Sequence, residues 1–110
     1  MMTDDALVAL SALAHPTRLE AFRLLVRHAP EGLSTGALVE AVGLTQSTLS
    51  THLAVLAKAG LVVAEKRGRQ QIQHADLDTL RRLMTFLARD CCAGSPELCA
   101  PLLAELTPCC

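Results

Sequence analysis

Five cysteines crowd the end of this 110-residue chain: Cys91, Cys92, Cys99, Cys109 and Cys110. Cys91 and Cys92 are adjacent, and Cys99 follows after a stretch holding Gly94, Ser95 and Pro96, which lets the chain fold back on the pair. Three thiolates without an evident imidazole or carboxylate partner make a soft, low-coordinate site. A structural zinc site wants four ligands, often in paired C-x-x-C units, and these are absent. Trivalent arsenic or antimony instead takes three sulfurs pyramidally, its lone pair filling the remaining direction. Cys109 and Cys110 extend this site, substitute for Cys99, form a second weak metalloid or redox site, or belong to a frayed tail. The opening Met-Met-Thr-Asp-Asp run does not read as a secretory signal, and no apolar stretch is long enough to span a bilayer. The expected compartment is therefore the cytoplasm, where grouped thiols serve metal or redox chemistry more than disulfides.

A second constellation is electrostatic. The net charge is only -1, yet between Thr45 and Ala75 four basic residues (Lys58, Lys66, Arg67 and Arg69) stand against Glu65 alone. That stretch carries +3 and leaves -4 for the remainder, so near-neutrality hides a local basic face suited to a duplex. Aromatic residues are 2%, Phe22 and Phe86, which argues against a platform that stacks single-stranded bases. The chain has no C-x-x-C pair, no cysteine leading a phosphate-cradling loop and no glycine-rich nucleotide motif. A binding protein is expected, not an enzyme.

With 51% hydrophobic residues and 19% charged, the chain can bury a core, and its size fits one small domain. Leu7, Leu10 and Ala14 predict the buried stripe of a first helix over residues 4–14. Pro16 opens a second, with Leu19, Phe22 and Val26 inward and Arg18, Arg23 and Arg27 elsewhere; Pro30 and Gly32 end it. Ser34 caps a third helix carrying Leu38, Val39 and Val42, and Gly43 takes its left-handed end. After this tight turn Thr45 caps a fourth helix burying Leu49, Leu53 and Leu56, which makes a helix-turn-helix. Residues 61–74 read as a β-hairpin with Arg67-Gly68-Arg69 at its tip. Asp76 or Asp78 caps a last helix with Leu77, Leu80, Met84 and Leu87 on one face. The expected fold class is mainly α with a β-hairpin wing, a dimeric winged helix-turn-helix in the order ααααββα. Residues 1–90 are expected to form a DNA-binding and dimerisation domain, and residues 91–110 a cysteine-rich effector tail.

This order of elements resembles the ArsR/SmtB family of winged-helix metalloregulators over roughly residues 6–90. The resemblance rests on Ala14-His15-Pro16-Thr17-Arg18-Leu19, then Leu44-Thr45-Gln46-Ser47-Thr48-Leu49-Ser50-Thr51-His52-Leu53, then Leu56-Ala57-Lys58-Ala59-Gly60-Leu61-Val62 and the basic wing. It implies that the fourth helix reads double-stranded operator DNA, with Gln46, Ser47, Ser50 and His52 near the duplex. Thr48 flanks this surface, and Thr51 stands where members often carry arginine. Lys66, Arg67 and Arg69 supply charge to the groove or its phosphates. The resemblance, together with apolar faces on the first and last long helices, implies a homodimer.

Cys91, Cys92 and Cys99 resemble the C-terminal three-cysteine site of arsenite-responsive repressors in that family. Other sensor sites of the family lack their ligands here, since residues 33–43 hold no cysteine and residues 76–90 no histidine. The four histidines, His15, His28, His52 and His74, are scattered and suggest capping, surface or DNA-proximal roles. The implied effector is As(III), with Sb(III) or methylarsenite as variants, and no permanent cofactor is expected. The rival readings keep the fold: a sensor of cadmium, lead or copper(I), or a thiol-oxidation or persulfide switch.

Overall fold

The computed structural model describes residues 1–89 together with residues 100, 101 and 105. Within residues 1–89, five helices and three short strands follow in the order α1 (Thr3–Leu13), α2 (Pro16–Arg27), β1 (Leu33–Ser34), α3 (Thr35–Val42), α4 (Gln46–Lys58), β2 (Val62–Arg67), β3 (Gln70–Ala75) and α5 (Leu77–Ala88). This is the winged helix-turn-helix that the sequence leads one to expect, with one addition. Leu33 and Ser34 form a strand that pairs antiparallel with β3, opposite Gln73 and Ile72, so the wing sheet has the order β1-β3-β2. Two residues carry no alternation to read, and only their partner strand makes them a strand.

Local chemistry places the helix ends as expected. The Ser34, Thr45 and Asp76 side chains accept hydrogen bonds from the backbone N–H groups of Ala37, Thr48 and Thr79. Each thereby satisfies a donor that the first turn leaves orphaned. Pro16 is the first residue of α2, and Gly43 closes α3 at φ 81°. Gly32 is required for a different reason. Its φ is 76°, and a Cβ there would lie 2.5 Å from the Gln73 carbonyl oxygen and 2.7 Å from His74 Nδ1. No other residue lets the chain pass β3 so closely.

Leu25, Leu38, Leu49, Leu56 and Leu61 are wholly enclosed, and Phe22, Leu53, Val62 and Leu83 complete the larger part of the core. The stripe of α4 is the expected Leu49, Leu53 and Leu56. That of α1 is not. Ala6, Ala9 and Ala12 are buried, while Leu7 is 58% exposed and Leu10 also faces outward. Most of α1 is apolar, so its periodicity fits either face. The small alanines face the core, where α1 packs against α2 and α4. Likewise α2 buries Ala21, Phe22 and Leu25, leaving Leu19 exposed and Val26 only partly covered. Arg18, expected to face away, turns inward, its Nε donating to the Ala12 carbonyl.

On α5, Leu83 and Thr79 are buried while Leu77, Met84 and Leu87 remain exposed. Among the described residues no helix is long and apolar enough to cross a membrane.

Candidate nucleic-acid interface

With its leucines turned inward, α4 leaves Gln46, Ser47, Thr48, Ser50, Thr51 and Ala54 exposed. The first turn of the helix is organised by hydroxyls. Thr45 Oγ1 donates to Thr48 Oγ1 at 2.9 Å while accepting from the Thr48 N–H, and it lies 3.4 Å from Ser47 Oγ. Thr51 Oγ1 donates back to the Ser47 carbonyl at 3.1 Å. The result is a polar helix N-terminus carrying partial positive charge and no acidic residue in its first turn. Such an end suits phosphate and base-edge contacts.

The wing stands beside it. Arg67 pairs with Gln70 across the tip, so that Gly68 and Arg69 form a two-residue connection. Gln46 at the start of α4 and Arg69 at the wing tip line one cleft, together with Ser34, Thr35 and Gly36. Ser50 and Ala54 face a second cleft against Ala64, Gln71 and Gln73. Residues that the sequence distributes over two motifs thus share one surface.

Lys66, Arg67 and Arg69 are exposed, but Arg67 is already engaged, its Nη2 lying 2.7 Å from Glu65 Oε1. Hydrogen bonds from His74 and Arg67 hold the Glu65 carboxyl below the usual carboxylate range.

His52 is placed apart from the other predicted reading residues. It is half-buried on the flank of α4, beside His15 and Arg18. Two of the four scattered histidines therefore meet, and nothing in their spacing along the chain announces it. His15 does cap α2, its Nδ1 accepting from the Thr17 N–H.

Sequence reasoning also missed Thr35 and Gln73. Gln73 is buried in the wing and donates through Nε2 to Thr35 Oγ1, whose hydroxyl donates to the Gln71 carbonyl. This pair ties the start of α3 to the sheet. The polar alternation of β3 could have flagged Gln73 only if its inward face had been known.

Among the described residues no group of three or more His, Cys, Asp or Glu side chains is placed to hold a metal ion. Cys91, Cys92, Cys99, Cys109 and Cys110, with the Gly94-Ser95-Pro96 bend, lie outside the described residues.

Residues 13–64 match a family described as a helix-turn-helix domain. A solved structure described as a possible transcriptional regulator for arsenical resistance is 30% identical, with a TM-score of 0.64; the match covers 74% of this chain and 81% of that one. The chain belongs to the ArsR/SmtB family of winged-helix regulators. A homodimeric winged helix-turn-helix DNA-binding domain from Mycobacterium bovis, a possible ArsR-family regulator, is 27% identical with a TM-score of 0.65, covering 79% of this chain and 81% of that domain. Among curated proteins, the nodulation protein NolR of Rhizobium meliloti is 41% identical over 75 residues. That match covers 66% of this chain but only 58% of NolR, so the chain matches little more than half of that relative's length. Within the ArsR/SmtB frame, α3 and α4 are the helix-turn-helix and β2–β3 is the wing.

Proposed function

We propose that this ArsR/SmtB member is a homodimeric repressor that grips operator DNA and releases it when trivalent arsenic or antimony binds Cys91, Cys92 and Cys99. The observation that carries the DNA reading is the cleft shared by Gln46 and Arg69, where the polar start of α4, with Ser47 and Ser50 exposed on it, meets the basic wing. Thr48 and Thr51 shape that surface, and Lys66 and Arg67 add charge beside it. One such domain presents one reading helix, and two half-sites call for two. Exposed Leu77, Met84 and Leu87 on α5, with exposed Leu7 and Leu10 on α1, offer the apolar area for a second copy. The homodimeric M. bovis domain supports that assembly.

The effector half of the reading rests on thiol number and spacing, and the likeness to a possible arsenical-resistance regulator supports it. Bound metalloid would tie the chain just after α5 to Cys99 in the 91–110 tail and so alter the spacing of the two reading helices. A hundredfold loss of DNA affinity needs about 2.7 kcal/mol of coupling between effector and DNA.

A single series tests both halves. The full chain is titrated onto a duplex that it selects from a randomised pool, with arsenite, cadmium or an oxidant added in separate arms. Release by arsenite, lost in Cys91→Ser/Cys92→Ser while DNA binding persists, is the expected result. Release of that variant by arsenite overturns the site, and release by cadmium or oxidant alone favours the rival sensors.

A further inference from the structure

His15, Arg18 and His52 converge where the start of α2 meets the middle of α4. The two imidazole centroids lie 4.5 Å apart with their planes inclined by 37°. Both rings are used as acceptors at Nδ1. His15 Nδ1 accepts from the Thr17 N–H at 3.1 Å and completes the cap of α2. His52 Nδ1 lies 3.4 Å from Arg18 Nη1, and a guanidinium has only donors to offer. Arg18 Nε in turn donates to the Ala12 carbonyl at the end of α1. Three side chains thus tie α1, α2 and α4 together at one point.

An imidazolium bears a proton on both ring nitrogens. A proton on His15 Nδ1 would face the Thr17 N–H and break the cap. A proton on His52 Nδ1 would face the Arg18 guanidinium. Among the described residues, the titratable and charged groups facing His52 are His15, the cap of α2, and Arg18 in its first turn, while α1 contributes the neutral Ala12 carbonyl. No described carboxylate forms a salt bridge with Arg18 to offset a further positive charge. Partial burial, reinforced by His15 and Arg18, holds His52 below its ordinary value of 6.5.

We propose that His15, Arg18 and His52 are positioning residues that seat the DNA-reading helix, and that they do so only while both imidazoles are unprotonated, so that affinity for duplex DNA falls in mild acid. This deepens the DNA-binding reading above and rests on it. The expected direction is diagnostic, because added positive charge alone would raise affinity for a polyanion.

The test is fluorescence anisotropy on the selected duplex at constant ionic strength, from about pH 8 to about pH 5.5. The expected loss in the wild type is about tenfold, the equivalent of one pKa unit of coupling. In His15→Asn/His52→Asn both acceptors are retained, since asparagine caps helices well, but neither side chain takes up a proton. Its profile is expected to be flat or to rise in acid. A wild-type profile that is flat or rising, or a double variant that reproduces the wild-type loss, overturns the proposal.

A nitrogen-15 correlation spectrum of the wild type across the same range requires neither DNA nor a variant. With positioning at work, the amides of α4 shift together with the titration of His52; their invariance overturns the proposal. Recovery of no duplex from the pool at any pH is instead the failure of the DNA-binding reading, and the spectrum still decides the cluster.

Discussion

Glu65 and His74 meet diagonally across the wing, with His74 Nε2 2.8 Å from the same Glu65 Oε1 that Arg67 Nη2 reaches at 2.7 Å. The register makes this possible, since Glu65 stands opposite Ile72 and His74 lies two residues further along β3 on the same face. His74 is held from its other side as well, its Nδ1 lying 3.1 Å from the Pro30 carbonyl. One wing carboxylate is therefore shared between a histidine and an arginine proposed to contact DNA. To reach a phosphate, Arg67 must leave Glu65.

Glu65→Gln removes that competitor and adds one net positive charge to the wing. The expected outcome is a few-fold gain in affinity for any duplex, with the slope of log K against log salt steeper by about one. Affinity titrations at three or four salt concentrations measure both. Because His74 and Arg67 hold the carboxyl below its ordinary value of 4.5, the wild-type competition persists at every pH above that value and fades only as pH falls through the lowered one. Wild type and Glu65→Gln should therefore converge in strong acid.

Arg67→Ala/Arg69→Ala takes away the two wing arginines proposed to contact phosphates. Binding should weaken to about the same degree on selected and unrelated duplexes, and the salt slope should flatten by about two. An unchanged slope would remove the wing from DNA binding.

The packing of α1 yields a contrast that urea denaturation can read. Ala9 is buried on the side that meets the core, so Ala9→Leu should overpack it and destabilise the fold by about 1–3 kcal/mol. Leu7→Ala, at an exposed position of the same helix, should change monomer stability by no more than about 0.5 kcal/mol. Equal effects would place α1 in the wrong rotation about its axis.

Met84→Lys/Leu87→Lys puts two charges on the exposed apolar face of α5. Sedimentation should show a monomer while far-ultraviolet circular dichroism stays helical, and affinity for a two-half-site duplex should drop at least tenfold, in keeping with the cost of desolvating lysine at an apolar contact. A dimer that survives the change has its interface elsewhere.

The elements that proved legible in the sequence are those whose causes lie within one turn of chain. Ser34, Thr45 and Asp76 each cap a helix through a backbone N–H three residues on, Pro16 starts α2, and Gly43 closes α3. The polar face of α4 was equally readable, because Leu49, Leu53 and Leu56 define their own opposite side. In α1 the pattern failed, since a mostly apolar helix contains more than one plausible stripe.

The sequence by itself determined the order of the helices, the hairpin, the basic wing tip and the cluster of thiols, because these follow from residue types that act over a few positions. Only the tertiary structure decided that the alanines and not the leucines of α1 face the core. It alone made Leu33-Ser34 a strand, placed Gln46 beside Arg69, and brought His52 onto His15 and Arg18 from more than thirty positions away. Those outcomes depend on which surfaces meet when the helices pack, and local periodicity does not encode a partner.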